Sequence, residues 1–349
     1  MKNEYNDPDI LEREFHLFYK DWIWSERVAS EISEGKYTLC KLPFGQEVIL
    51  TKTNGVIKAY LNVCPHRKSA IILEDSDKLA CCFHGWEFDS MGICTKTPGI
   101  DSLKIEKIHL QNIKVDSFCD FIFLNFQRNP VPFSTWIEYF IKDLPYRPLF
   151  FAGVIELDID ANWKLAMENE YDGLHVNIVH KELKKTISYL ETDLGSKNKI
   201  TQASGWLAES SKLEKGVNAV TSDHKRIDGI DKPSTWIEYK IFPHMAPAYM
   251  DDYTMINLYH PISPTKTKGF IYFYVYSENL IEKAKTAIDL WSSTLIEDKI
   301  VMQANHKGNL SSFYTKGKIL SKDEVLILGV YEKEYKRRMK EVENAYRKN

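Results

Sequence analysis

Two short stretches of the chain concentrate side chains that bind soft metals. The first reads Asn62-Val63-Cys64-Pro65-His66-Arg67, the second Cys81-Cys82-Phe83-His84-Gly85-Trp86. Each offers a thiol and an imidazole, two residues apart in the first and three in the second, and fourteen residues separate His66 from Cys81. A two-iron, two-sulfur centre with two cysteines on one iron and two histidines on the other needs such a set, here Cys64, His66, Cys81 and His84. Imidazole donates less charge than thiolate, so the histidine-bound iron is easier to reduce and the potential lies above that of an all-cysteine cluster. A Cys2His2 zinc site is the competing reading, although zinc knuckles more often pair two cysteines. Cys82 is a neighbour rather than a ligand, because Cys81 keeps the three-residue step to His84.

A second group of candidate ligands lies further along. From Asn162 onward, Trp163, Met167, Tyr171, Leu174 and Ile178 recur at helical spacing. Glu168, Asp172, His175 and Val179 form the adjacent stripe, and ionisable groups beside a core face are costly unless paired or bound to metal. His180 follows His175 by five residues, about 140° on an ideal helix, so both reach one ion only if the helix breaks. A break is expected near Asn177–Val179. In the helical stretch 281–305, Trp291, Leu295, Asp298, Met302 and Asn305 follow one another at steps of four, three, four and three. Asp298 therefore falls in the apolar stripe, while Glu297 and Lys299 point elsewhere. Two histidines and one carboxylate on one iron leave positions open for O2 and a substrate, the ligand set of non-haem iron oxygenases.

The elements that position these groups follow from pattern. Residues 8–31 read as helix, with Ile10, Phe15, Phe18, Trp22 and Trp24 among charged side chains. From Tyr37 apolar and polar residues alternate, and Asn54-Gly55 between two apolar runs signals a hairpin. Short strands continue through 121–126, so an all-β domain is expected over 37–135, preceded by a helical segment, 1–36, packed on the domain that follows. Residues 136–349 read as a second domain with helices on an antiparallel sheet, its strands in 151–160, 235–242, 254–262 and 269–276, and helices over 279–306 and 322–347. The fold class is α+β.

Composition narrows the function classes. A net charge of −3 with no charge block speaks against a nucleic-acid partner. No run of eighteen apolar residues suggests a membrane span, and the start MKNEYNDPDILEREF lacks an apolar leader core, so a cytoplasmic protein is expected. All six cysteines lie between positions 40 and 119, which in a reducing compartment reads as a metal site rather than a disulfide framework.

The paired loops, CPHR followed by CxFHGW, resemble the Rieske family. Respiratory members carry an extra cysteine in each loop; here those positions are Ser69 and Phe83, so the resemblance is to the oxygenase and ferredoxin branch. The stretch NWKLAMENEYDGLHVNIVH resembles the catalytic-domain motif of Rieske non-haem iron oxygenases, and EDKIVMQ their carboxylate-bearing segment. The resemblance implies one [2Fe–2S] cluster and one mononuclear Fe(II) on His175, His180 and Asp298. Electrons would come from NAD(P)H through a separate reductase or ferredoxin, with O2 and a small organic molecule as substrates. Asp172 matches the family's bridging residue, which links a cluster histidine of a neighbouring subunit to an iron-bound histidine, and a homotrimer follows. Asn169 receives no role. Hydroxylation or oxidative demethylation is implied, with a quaternary amine or an aromatic acid as candidate substrates. Trp206, Trp236, Tyr239, Tyr249, Tyr253 and Tyr259 are pocket candidates for cation–π contact, with Asp251 or Asp252 nearby. The alternative is a Rieske electron-transfer protein without oxygenase activity.

Overall fold

The computed structural model describes residues 4–99, 105–141, 148–172, 174–181, 199–203, 206–212, 237–238, 240–250, 252–313 and 322–346. The chain divides into two compact units, one of residues 19–147 and one of residues 1–18 with 148–349.

The 19–147 unit is built on a six-stranded antiparallel sheet. Its strands are β1 (Ile23–Val28), β2 (Tyr37–Leu42), β3 (Gln46–Thr53), β4 (Val56–Leu61), β8 (Asn112–Phe118) and β9 (Phe121–Asn125), in the order β1-β9-β8-β4-β3-β2. A smaller sheet joins β5 (Leu79–Ala80), β6 (Glu87–Phe88) and β7 (Cys94–Lys96). Asn54 and Gly55 both take positive φ, 52° and 76°, the tight turn that the Asn-Gly pair signals. Leu39, Ile49, Tyr60, Ile71, Leu79, Trp86, Phe88 and Leu110 form one buried cluster with Cys64 and Cys81. A short helix, α2 (Phe133–Ile141), ends this unit's described part.

The helix expected over 8–31 stops at Phe18 as α1 (Pro8–Phe18). Residues 23–28 are strand instead, with Ile23 opposite Leu124 and Trp24 opposite Phe123. The apolar residues of this stretch suit a helix face and a strand buried on both sides equally well, and cross-strand pairing decides between them.

The second unit carries a seven-stranded antiparallel sheet, ordered β10-β16-β15-β14-β13-β12-β11. These strands are β10 (Phe150–Ile159), β11 (Lys199–Ala203), β12 (Trp206–Lys212), β13 (Ile237–Glu238), β14 (Met245–Tyr249), β15 (Tyr253–Ser263) and β16 (Lys266–Val275). Its helices are α1, α3 (Trp163–Tyr171), α4 (Val176–Val179), α5 (Ala284–Asn309) and α6 (Lys322–Tyr346). No helix among the described residues is long and apolar enough to cross a membrane.

The Asn162-Trp163-Lys164 triplet has a structural meaning. Asn162 caps α3 by accepting from the Lys164 amide at 3.0 Å. Trp163 Nε1 and Lys164 Nζ both donate to the buried Glu14 carboxylate at 2.7 Å, and Tyr335 Oη donates to it at 2.5 Å. One carboxylate of α1 thus ties α3 to α6. All four side chains are buried, so each partner is needed to offset the desolvation of the others.

Candidate metal centres

The paired cysteine–histidine loops sit at the turns between β4 and β5 and between β5 and β6. In the first loop the Cys64 amide donates to Ser69 O at 2.7 Å and the Lys68 amide to Cys64 O at 2.9 Å. Asn62 pins its base: Nδ2 donates to Glu47 Oε2 and Ile72 O, and Oδ1 accepts from the Ile71 and Ile72 amides. In the second loop the Gly85 amide donates to Cys81 O at 2.9 Å, and Gly85 takes φ 67°, a conformation glycine adopts without steric cost. Cys64 and Cys81 are buried and face each other, and burial first, then the neighbouring Cys81, pushes the Cys64 thiol up to about 11. A bound metal would displace that proton and hold the thiolate. The His66 ring stacks on Trp86 at 4.5 Å and lies 4.8 Å from the His84 ring. His66 Nδ1 is buried without a hydrogen-bond partner, which suits a nitrogen meant for metal. Cys82 is exposed and its thiol donates to Ala70 O at 3.3 Å, away from the facing thiols.

In the other unit the helical path breaks twice: α4 ends at Val179, within the stretch where a break was expected, and α3 ends at Tyr171, where none was. Asp172 caps it in extended conformation, φ −96° and ψ 105°, and Asp172 Oδ1 accepts from the Leu174 amide at 2.8 Å. An aspartate at such a position offers its carboxylate to the following amide in place of helix continuation. The one-turn helix α4 then separates His175 from His180. His180 leaves the helical path at φ −90° and ψ 78°, and both rings reach Asp298 on α5.

The three sequence candidates meet there. Asp298 Oδ1 lies 3.2 Å from His175 Nε2 and 3.1 Å from His180 Nε2, and one ligand atom from each residue falls within 4.8 Å of the others. Asp298 is buried in the apolar stripe of α5 with Trp291, Leu295 and Met302, whereas Asn305 is exposed and His306 takes the inward place. Burial works against its charge, but hydrogen bonds from His175, His180 and Asn169 hold the Asp298 carboxyl at about 2. Burial likewise opposes a charged His175, yet Asp172 and Asp298 raise that imidazole to about 9. An ionised carboxylate facing two imidazole nitrogens is a donor set that a divalent cation satisfies in place of protons.

Two residues here escaped the sequence reading. Asn169 Nδ2 donates to Asp298 Oδ1 at 3.0 Å. Its position one turn before the histidine segment was the available signal. Glu297, expected to point elsewhere, lies with Oε2 3.0 Å from His180 Nδ1. Asp172 Oδ2 stands 3.6 Å from His175 Nδ1 and half-exposed.

Among the pocket candidates, Tyr253 and Tyr259 are buried in internal networks. Tyr253 accepts from Trp291 Nε1 at 3.0 Å, and Tyr259 donates to Glu170 at 2.6 Å. Tyr249 is half-buried and Asp252 buried beside the β14–β15 turn. Trp236, Tyr239, Asp251 and the side chain of Trp206 lie outside the described residues.

Comparison with known proteins matches residues 23–111 to the Rieske [2Fe–2S] domain and residues 151–341 to the ring hydroxylating alpha subunit (catalytic domain). The glycine betaine monooxygenase oxygenase subunit of Pseudomonas aeruginosa (strain UCBPP-PA14) is 24% identical, over 90% of this chain and 82% of its own. A quaternary ammonium Rieske monooxygenase, studied for carnitine oxidation and inter-subunit electron transfer, shares the fold with a TM-score of 0.71 at 18% identity, over 89% of this chain and 85% of its own. Naphthalene 1,2-dioxygenase shares it with a TM-score of 0.72 at 20% identity, over 88% and 80%. The Rieske match sets aside the zinc reading, and the catalytic-domain match sets aside an electron carrier.

Proposed function

The chain belongs to the Rieske non-haem iron oxygenases as an oxygenase component, and from that premise we propose that it oxidises an N-methyl group of a quaternary amine, on a mononuclear iron held by His175, His180 and Asp298. When bound, the [2Fe–2S] cluster relays single electrons from a reductase, and the iron supplies two-electron activation of O2. Cys64, His66, Cys81 and His84 are assigned to the cluster.

The observation that carries the iron assignment is the meeting of His175, His180 and Asp298 around one carboxylate oxygen. Asn169 orients that oxygen from the side by its amide. Asp172 is assigned the bridging role between His175 and a cluster histidine of the neighbouring subunit in a homotrimer. Its half-exposed carboxylate supports this, as do exposed Leu174 and Ile178 on the ligand-bearing segment, apolar surface that a second subunit would cover. The protein would work in the cytoplasm, where NAD(P)H is the electron source.

For the substrate, the resemblance to the glycine betaine enzyme along most of both chains favours a trimethylated amine. Inserting one oxygen atom into a C–H bond of an N-methyl group would give an N-hydroxymethyl cation, while the second oxygen leaves as water with two electrons and two protons. The cation loses its hydroxyl proton and releases formaldehyde and a tertiary amine. The test is NADH and O2 consumption with a generic reductase across betaines, other trimethylamines and aromatic acids. Formaldehyde in proportion to O2, with trimethylated amines alone, is the expected result. Coupled turnover with aromatic acids alone would contradict the substrate class.

A further inference from the structure

The two histidines of the iron site are held unequally. His180 is gripped at both ring nitrogens: Nε2 faces Asp298 Oδ1 at 3.1 Å and Nδ1 faces Glu297 Oε2 at 3.0 Å. The two carboxylates are consecutive on α5, and the step of about 100° between neighbours on a helix turns one inward and the other to the rim. His175 is held closely at one nitrogen only: Nε2 faces Asp298 Oδ1 at 3.2 Å, and the ion pair at Nδ1 is longer. Its Nδ1 is buried without a hydrogen-bond partner, and Asp172 Oδ2 stops at 3.6 Å while Asp172 Oδ1 is engaged by the Leu174 amide.

We propose that Glu297 is the positioning residue of the iron site: it fixes the tautomer and aim of His180, and thereby the grip of the site on its metal, while Asp172 is left free of that duty. This rests on the assignment of His175, His180 and Asp298 as ligands. An imidazole that binds metal through Nε2 carries its hydrogen on Nδ1, and that hydrogen needs an acceptor. An ionised carboxylate only accepts, so Glu297 selects this tautomer and leaves the Nε2 lone pair free. A surface carboxylate on a helix would otherwise contribute little, but this one is 28% exposed and aimed at a ring that is 3% exposed. Glu297 serves metal binding, and Asp172 serves contact with another group.

The test is anaerobic competition for Fe(II) between a ferrous chelator and the full, cluster-bearing chain, together with the ligand-field spectrum of Co(II) in the same site. Glu297→Ala should weaken binding roughly 10–100-fold and shift the Co(II) bands. Glu297→Gln, which keeps an acceptor, should recover most of the affinity, and Asp172→Ala should bind like the wild type. If Glu297→Ala disturbs the fold, read from circular dichroism and the unfolding midpoint of the catalytic unit, Glu297→Asp, one methylene too short to reach the ring, should show the same loss. Wild-type affinity and Co(II) bands in Glu297→Ala or Glu297→Asp would overturn the proposal, as would an equal loss in Asp172→Ala. Asp298→Ala should abolish the second site; if it binds Fe(II) fully, the ligand assignment itself fails.

Discussion

Glu168, on the helix that leads into the iron site, is a half-buried carboxylate that accepts a hydrogen bond from Tyr5 Oη at 2.9 Å. Burial lifts its pKa from the ordinary 4.5 to about 7, with Tyr5 and Lys164 opposing the rise. The folded state therefore binds this proton more tightly than the unfolded chain does. Stability contributed by the proton is fully present below about 4.5, and it is lost as pH rises towards about 7. The loss is at most of order 3 kcal/mol. Glu168→Gln should flatten the dependence of unfolding midpoint on pH between 4.5 and 7 and raise the midpoint at pH 8, and an unchanged profile would contradict this. At the same scale, the Rieske character of the paired loops was legible because a thiol and an imidazole at fixed spacing have few other uses. Glu297 was not. Its aim depends on where His180 comes to rest, and that is decided by the turn at Asp172 rather than by the periodicity of α5.

At the scale of elements, the sequence pattern located the strands, the Asn54-Gly55 turn and the inward face of α5 around Asp298. It misplaced two helix ends. Apolar residues at Trp22–Trp24 continued a helical pattern that pairing with β9 overrides. The break expected near Asn177–Val179 falls where α4 ends, but the early end of α3 went unforeseen, because a capping aspartate ends a helix where periodicity alone lets it run. What steadies α3 instead is the Glu14 network to Trp163, Lys164 and Tyr335. Removing Glu14 strands a buried lysine, and breaking such a pair costs about 3–5 kcal/mol. Glu14→Ala should lower the denaturant midpoint of the catalytic unit and weaken iron retention, while the cluster absorbance persists. An unchanged midpoint would show that the network contributes nothing to stability.

At the scale of the whole molecule, the bridging role of Asp172 requires one subunit to complete another. Asp172→Ala should keep both metal centres and lose coupled turnover. His66→Ala should lose the cluster and keep the mononuclear iron. Neither variant turns over alone, but co-expressed chains should regain activity in mixed assemblies, since a cluster from the first can serve an intact Asp172 in the second. Mixed assemblies that stay inactive would place the electron path within one chain. This separation was not readable from local pattern, because it concerns surfaces that meet only on assembly.

The measurement that bears most directly on the central assignment is iron and sulfide content of the wild type and of Asp298→Ala, taken with the EPR signal of the reduced cluster. About three irons and two sulfides per chain are expected in the wild type, and about two irons with an unchanged cluster signal and no substrate-driven O2 uptake in the variant. A third iron retained in full by Asp298→Ala, or a wild type with a full cluster and only about two irons, would contradict the account.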